Sequence, residues 1–389
     1  MSIKTSPVHE TGTIVIGAGL AGLSSAYHLS QAREPGVIVI EREAVAGRHA
    51  SGNNAGMIRQ AVSDPILVHL ARLGRDAIAA AQSDGWKIDF RSEGSLLVSQ
   101  AWDEDKLRVI ADAVSRESVP CRWLTPDEAA RIVPLLKGAA FSKALYSPTD
   151  GHVSIPAFLK AFLSELKKRG VPVFYNSPLE SIERSGNNFI VTAGGKKFIA
   201  PRIVNAAGAW AGEVGKKAGA TTIPLKAYRR HLYVNPAVGA SKKWPFVWDL
   251  SHDLYFRPVK EGLLMSPCDK ELFSLERNTK TEAVDPGMAA ALKKKLAKFA
   301  PKFSDVHLEG AHFGLRTMTA DGRFVLGEDP AVKGFYWVAA LGGHGVTTSF
   351  SIGRLIADLV LGRRVNPFIV KALSPARYAV KKKTSRAAA

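Results

Sequence analysis

The sequence predicts an α/β fold large enough for two domains. Three observations carry this reading. The chain has 389 residues, of which 46% are hydrophobic, more than one core normally organises. Helical and strand-like stretches alternate along its length. It also opens on a strand, a glycine turn, a helix and a second strand, the parts of a βαβ unit.

Thr13–Ile16 is a short apolar run that reads as a strand, residues 17–22 as a turn, and the helical pattern then continues to Gln31. Val37–Ile40 is apolar throughout, as expected of a strand buried on both faces beside the first. Residues 65–82 read as a helix and 94–99 as a strand. Residues 125–132 read as a short helix, with Thr125 as cap and Glu128 three residues on, the capping-box spacing. Residues 156–169 form a stronger helical pattern, capped by Ser154 and stopped by Gly170, before a strand at 171–175. The runs 189–192 and 197–200 flank Gly194 and Gly195 and read as a hairpin. Residues 203–206 read as a buried strand leading into Gly208, and 227–234 and 253–258 as strands of a second domain. Residues 288–299 form an amphipathic basic helix. Residues 334–340 form the last strand, which passes through the glycines of 342–345 into a helix at 347–361. Beyond Val365 the chain is basic and is expected to be partly loose. No internal repeat is present.

Gly17, Gly19 and Gly22 make the pattern G-x-G-x-x-G, with Leu20 and Ala21 opening the helix. The first glycine permits the tight turn, the second lets backbone approach a pyrophosphate, and the third lets helix and strand pack closely. The helix N-terminus then presents N–H groups and a partial positive charge to the phosphates. Glu41 ends the second strand, with eighteen residues between it and Gly22, close to the roughly 20 expected for the acid that binds ribose hydroxyls. An acid here favours an unphosphorylated ribose and leaves flavin and nicotinamide dinucleotides undivided.

Later segments divide them. Residues 42–56 read REAVAGRHASGNNAG, 203–210 read IVNAAGAW, 314–327 read GLRTMTADGRFVLG and 335–348 read FYWVAALGGHGVTT. In this order and spacing they resemble FAD-dependent amine and amino-acid oxidoreductases of the D-amino-acid oxidase superfamily, most nearly its glycine oxidase and D-amino-acid dehydrogenase branch. Around 227–233 and 255–267 the chain is similar to D-arginine dehydrogenase-like enzymes. The resemblance implies a Rossmann-like FAD-binding domain interleaved with an antiparallel-sheet substrate domain. The first would take residues 1–90, 150–225 and 310–370, and the second 91–149 and 226–309, leaving 371–389 as a basic C-terminal tail.

It further implies cofactor contacts from Arg42, Ser51, Gly52, Asn53, Asn54, Ala55 and Gly56, from Ala206, Ala207, Gly208 and Trp210, from Gly314, and from Gly342, Gly343, His344, Gly345, Val346 and Thr347. Asn53 and Asn54 give a polar loop without bulky side chains, and Gly208 permits close backbone approach. The turn at 342–345 would aim a positive helix end at the electron-rich edge of a flavin, favouring its reduced anionic form. Sarcosine oxidase-like relatives attach FAD through a cysteine where this chain has Gly314, so non-covalent FAD is expected.

On the substrate side, the resemblance makes Arg316 the clamp of a substrate carboxylate, which the fork of a guanidinium suits. Tyr255 is similar to a tyrosine that supports the carboxylate. Arg229 and Arg230 match an arginine pair near the substrate. Arg230 begins an alternation with His231 and Tyr233, but the sequence does not decide between the two arginines. His49 and His344 fall in flavin-contacting segments and can tune the flavin, bind substrate or serve as buttresses. The implied reaction is hydride transfer from Cα of a D-amino acid to flavin N5, giving an imino acid that hydrolyses to a 2-oxo acid and ammonia. Sarcosine or another N-methyl amino acid, a 2-hydroxy acid, and a flavoprotein subunit of a larger oxidase are the alternatives. Oxygen and a quinone both remain open as electron acceptor. Thr347 stands where arginine-type relatives have glutamine, and 85–93 and 272–285 do not match closely enough to carry pocket residues over.

Composition sets outer limits. Lys plus Arg number 53 against 35 for Asp plus Glu, a formal +18, with runs at 293–295 and 381–383. Such a balance reads first as a solvated basic surface and second as attraction to anionic membranes or acidic substrates; no nucleic-acid-binding signature is present, and no nucleic acid is expected to bind. Two cysteines, Cys121 and Cys268, make no disulfide framework, and no H-E-x-x-H or similar spacing suggests a metal. Residues 1–12 lack an apolar signal core, and no uninterrupted apolar run approaches the roughly 18 residues of a membrane span. A cytoplasmic protein is expected, with peripheral contact at the inner face of a membrane as the further option its basic surface allows.

Overall fold

The computed structural model describes residues 8–236, 239–275, 284–303 and 305–379. Its centre is a six-stranded sheet in the order Val325–Glu328, Phe335–Ala339, Arg202–Asn205, Thr13–Ile16, Val37–Ile40 and Val173–Phe174. All neighbours are parallel except the edge pair formed by Val325–Glu328 and Phe335–Ala339. The parallel strands are apolar on both faces because both are covered. One face lies under the helices Leu20–Gln31, Pro65–Ser83, Ile155–Lys168 and Ser349–Val360, in a core that includes Leu23, Val68, Phe158, Phe162 and Ile356. The first and last domain-spanning helices meet closely at Gly353, where a Cβ would sit 2.2 Å from Ser24 Oγ.

On the other face Ile14, Ile38, Ile203, Phe335 and Trp337 pack against a four-stranded sheet. That sheet contains the expected hairpin, Asn188–Ala193 with Lys196–Ala200. Ala193 pairs with Lys196 across Gly194 and Gly195, whose φ angles are +55° and +70°. A two-residue turn with both centres at positive φ matches the twist of the flanking strands and favours glycine at each.

A larger sheet stands apart. Among the described residues it has nine strands. Their order is Glu271–Leu272, Lys226–Asn235, Gly262–Ser266, Leu254–Val259, Phe246–Asp249, Ser95–Ser99, Lys143–Ser147 and Arg122–Leu124, with Glu309–Met318 laid antiparallel along Lys226–Asn235. One face packs on the helices Gly287–Phe299 and Pro126–Ile132 through Phe256, Leu292, Leu296 and Phe299. The other carries Leu232, Tyr255 and Leu264 and turns toward the parallel sheet.

The local signals behave as chemistry requires. Thr125 and Glu128 close a capping box, with Thr125 N donating to Glu128 Oε2 at 2.8 Å. Ser154 accepts from Ala157 N at 3.4 Å. Asp64, unmarked in the sequence reading, caps Pro65–Ser83 by accepting from Ile66 N at 2.9 Å.

Two expectations change. No strand is expected from the sequence within 314–327, yet this segment begins inside the strand Glu309–Met318, because its alternation pairs with the ten-residue strand beside it. The tail beyond Val365 is not loose as far as Ala379. Pro367–Leu373 is helical, Leu373 is fully buried, and Arg377 donates to Asp321 at 2.9 Å and to the carbonyl of Phe324 at 2.8 Å. The run 381–383 lies outside the described residues. No helix among the described residues is long and apolar enough to cross a membrane.

Beside the tightly packed helices, burial and then the charge of Arg354 depress the pKa of His28 to about 4. Its folded value lies below its unfolded value, so the neutral form is favoured in the fold. Stability from this group is full above the ordinary histidine range and declines as pH falls from about 6.5 toward 4. At pH 5 the loss from this residue is expected to be about 2 kcal/mol. Thermal melts of the purified protein at pH 7.5 and pH 5 should show a smaller drop for His28→Phe than for the wild type; equal drops would contradict this.

Candidate active site

The opening strand lies between its successor in sequence, Val37–Ile40, and the later Arg202–Asn205. This is a switch point, where neighbouring chains leave the sheet in opposite directions and open a crevice at the carboxyl ends of the strands. A long cleft starts there. Gly17, Gly19, Leu20 and Ala21 line it on one side, Ala206, Ala207, Gly208 and Trp210 on the other, and Glu41 and Arg42 at the end of the second strand. Gly22 points away from the cleft and serves close packing: a Cβ there would lie 1.9 Å from the carbonyl of Gly17. The carboxylate of Glu41 accepts from Ala18 N at 2.7 Å and from Glu43 N at 2.9 Å, which fixes it at the cleft edge. Ser51 Oγ accepts from Leu20 N at 3.0 Å and so ties the following loop to the helix start. Asn205 holds the second turn, donating to the carbonyl of Ala211 at 2.8 Å and accepting from Ala207 N at 3.3 Å.

The loop itself supplies Ser51, Asn53, Asn54 and Ala55 to the lining, while Gly52 and Gly56 do not reach it. Their bare Cα atoms lie against backbone instead, with an added Cβ 2.4 Å from Gly47 O and 2.6 Å from Val153 O respectively. His49 joins a group of its own. Its Nε2 is 2.8 Å from Glu43 Oε1 and 3.1 Å from Arg42 Nη2, and its ring lies 4.6 Å from that of Trp210. The guanidinium of Arg42 covers the same indole at 3.6 Å. This places His49 with the nucleotide end rather than with the arginines of the far end.

At the far end the cleft runs onto the free face of the large sheet. Tyr228 pairs with Arg316 and Arg230 with Gly314, so Arg230 and Arg316 project from one face as diagonal neighbours. Arg230, Leu232, Trp248, Tyr255, Gly314 and Arg316 meet the turn 342–347 there. Arg316 lies against that turn: Gly343 has φ +91°, and a Cβ on it would be 2.9 Å from Arg316 Nε. Arg316 has no hydrogen-bonded or ion-paired partner among the described residues, so its donors open on the cleft. Arg230 donates from Nε to the carbonyl of Asp269 at 3.0 Å and shares that carboxylate at 4.0 Å. Its Nη1 is buried without a partner. The Asp269 carboxylate also takes His231 N and Nδ1, each at 2.8 Å. Arg229 faces away. It stacks between Phe273 and Phe313 at 5.0 and 4.9 Å and pairs with Glu271 at 3.5 Å, so strand parity puts Arg230, not Arg229, on the cleft face.

A third guanidinium, not foreseen, completes this end. Arg59 follows the family-like run 42–56 and lies over the Trp248 ring at 4.0 Å. Its Nη2 donates to His344 Nε2 at 3.2 Å. A guanidinium has no acceptor, so Nε2 of His344 carries the lone pair and the neutral ring is protonated at Nδ1. Burial, then the charges of Arg59 and Arg316, lower the His344 pKa to about 3. Burial lowers Arg59 and Arg316 to about 10, and each is pushed further by the neighbouring guanidiniums. Thr347, in the glutamine position of arginine-type relatives, is buried; its Oγ1 accepts from Arg59 N at 3.0 Å. It therefore fixes the Arg59 backbone to the glycine turn. Cys268, distant in sequence, packs beside Tyr255. The cleft also takes Met57, Ser177, Pro178 and Leu341, none of which the sequence reading marked.

The family described as DAO, FAD dependent oxidoreductase, matches residues 13–359. The chain belongs to this family. FAD is accordingly its cofactor. The chain is 26% identical to human mitochondrial dimethylglycine dehydrogenase over 97% of its own length, but spans only 45% of that protein. With glycine oxidase of Geobacillus kaustophilus it shares 25% identity, covering 90% of this chain and 93% of that one. Among solved structures, glycine oxidase from Geobacillus kaustophilus superposes with a TM-score of 0.81 at 22% identity, over 96% and 99% of the two chains. L-proline dehydrogenase from P. horikoshii gives 0.86 at 21% identity, over 96% and 98%. These are likenesses of fold, and they carry the two-domain FAD architecture expected from the sequence.

The cleft fits such a cofactor. At Gly208 an added Cβ would meet nothing within 4 Å, and at Gly342 nothing nearer than 3.9 Å, so bare backbone faces the cleft at both turns. Glu41 stands where a ribose diol would donate, and the turn 342–347 precedes a helix. Gly343→Ala should disturb the far end selectively, because its Cβ would displace Arg316. An at least tenfold rise in KM, about 1.4 kcal/mol, with unchanged FAD content is expected; an unchanged KM would contradict the packing described.

Proposed function

We propose that this enzyme oxidises the carbon–nitrogen bond of an amino acid whose carboxylate is held by Arg316. The observation that carries the reading is a guanidinium desolvated by the surrounding protein and without a partner among the described residues, facing a cleft that ends at the flavin-binding turn. A charge enclosed in this way is costly unless a ligand completes it. A carboxylate matches its two parallel N–H groups. Arg230, with its unpartnered Nη1, and Tyr255, which is almost fully buried, stand beside it as further donors.

The amine must lose its proton before its lone pair can form a C=N bond. An ammonium would be repelled by Arg59, Arg230 and Arg316, so the site favours the neutral amine. His344, already neutral, adds no charge. When bound, FAD supplies the acceptor for the hydride of the Cα–H bond. The nitrogen gives up a proton, and the imino acid takes up water to yield a 2-oxo acid and ammonia. The side chains of this cleft orient the carboxylate and hold the field; none is required as a base. No thioether to the flavin is expected from position 314, where a Cβ would be 2.5 Å from Asn53 O.

A D-amino acid is the first substrate class, on the resemblance at 227–233 and 255–267. An N-methyl amino acid is the second. Its support is that relatives over most of this chain are a dimethylglycine dehydrogenase and a 4-methylaminobutanoate oxidase. Turnover of D- and L-amino acids, sarcosine and dimethylglycine with an artificial electron acceptor divides these readings. D-amino acid turnover supports the first, and turnover confined to N-methyl substrates replaces it with the second. For the best substrate, Arg316→Ala should lower kcat/KM about 100-fold, ~3 kcal/mol for a charged hydrogen-bonded pair. Unchanged kinetics would remove Arg316 from the site.

A further inference from the structure

We propose that Arg59 forms a second anion site, so that the preferred substrate is an amino dicarboxylate, with one carboxylate on Arg316 and the other on Arg59. This rests on the assignment of Arg316 made above and extends it.

The first support is the hydrogen-bonding of Arg59. A guanidinium carries five N–H donors. Of these, only Nη2 has a protein acceptor among the described residues, His344 Nε2 at 3.2 Å. None of the side-chain nitrogens of Arg59 is buried without a partner, and the residue lines the cleft. The remaining donors therefore open on the cavity. The nearby acid does not take them. Asp150 is outside ion-pair reach, and its oxygens accept from Gln60 N at 2.9 Å, Gln60 Nε2 at 2.9 Å and Ser95 Oγ at 2.7 Å.

The second support is the charge balance. Three guanidiniums face this end of the cleft. Asp269 is shared between Arg230 and His231, and His344 is neutral. Asp150 acts on Arg59 only from beyond ion-pair distance, so neither Arg59 nor Arg316 has an ion-paired carboxylate among the described residues. A monocarboxylate neutralises one of them. A second carboxylate neutralises the other and removes the repulsion between Arg59 and Arg316.

A purely structural role is the competing account: Arg59 braces Trp248 and His344. In that case its open donors would be solvated, and a second substrate carboxylate would add nothing. Two readouts separate the accounts. The first compares kcat/KM of the holoenzyme for D-aspartate, D-glutamate and N-(carboxymethyl)glycine with that for D-alanine and sarcosine. At least one dicarboxylate should be preferred by about tenfold or more, the scale of a buried charged donor left unpaired. Arg59→Met should lower kcat/KM for that dicarboxylate at least about tenfold more than for the monocarboxylate, and Arg59→Lys should restore part of the difference. Equal losses on both, or no preference in the wild type, overturn the proposal.

The second readout needs no turnover and no variant. Malonate and succinate are titrated against acetate and propionate, following the flavin absorption of the wild-type holoenzyme. Tighter binding of a dicarboxylate by about tenfold or more, weakened by salt, supports the second site; equal affinities overturn it. If no amine is oxidised while dicarboxylates bind more tightly, the assigned reaction fails and the second anion site stands.

Discussion

Three guanidiniums gathered at one end of a narrow cleft, with a single ion-paired carboxylate among them in the described residues, set the terms for the rest of this structure. Like charges in such a place repel and are poorly hydrated, so they persist only where the surrounding fold holds them rigidly. That requirement explains features that are otherwise unrelated. Arg316 and Arg230 come from two long paired strands rather than from loops, and the pairing gives them a common face. Gly343 leaves room for the stem of Arg316, and Thr347 ties the backbone of Arg59 to the same turn. His344 remains neutral and accepts from Arg59, which spares the site a fourth positive charge.

The two halves of the cleft solve different problems. At the nucleotide end the requirement is close approach of backbone, met by bare glycines and by short turns locked by Asn205, Ser51 and Glu41. At the far end the requirement is fixed charge in a protein-lined space, met by strand residues of the large sheet. The turn 342–347 belongs to both. It follows the last parallel strand, opens the helix Ser349–Val360, and carries the residues that touch Arg59 and Arg316. A cofactor and an anionic substrate can therefore be positioned by one rigid element.

Much of this was legible in the sequence, for stated reasons. The glycine pattern with Glu41 depends only on spacing within a βαβ unit, and the structure reproduces that unit with its strands at the expected residues. The caps at Thr125 and Ser154 and the turn at Gly194–Gly195 are local chemistry and were equally readable. Arg59 was not. Its role depends on residues near 230, 248, 316 and 344, and no local pattern joins them. A usable hint was present, since Arg59 is an isolated charge in the apolar run from Ala55 to Val62. Arg229 and Arg230 could not be separated because alternation gives parity but not which face is buried; the pairing of Tyr228 with Arg316 supplies that information. The helix at 367–373 was missed because basic composition suggested a loose tail, whereas Leu373 and Arg377 anchor it.

The account stands or falls on whether the guanidinium cluster is an anion-binding site next to the flavin. Titration of the holoenzyme with acetate, followed through the visible absorption of the bound flavin, tests this without assuming any substrate. The account predicts a saturable perturbation that weakens with salt and is lost in Arg316→Met with FAD still bound. An unperturbed flavin spectrum in the wild type, or an identical response in Arg316→Met, would contradict it.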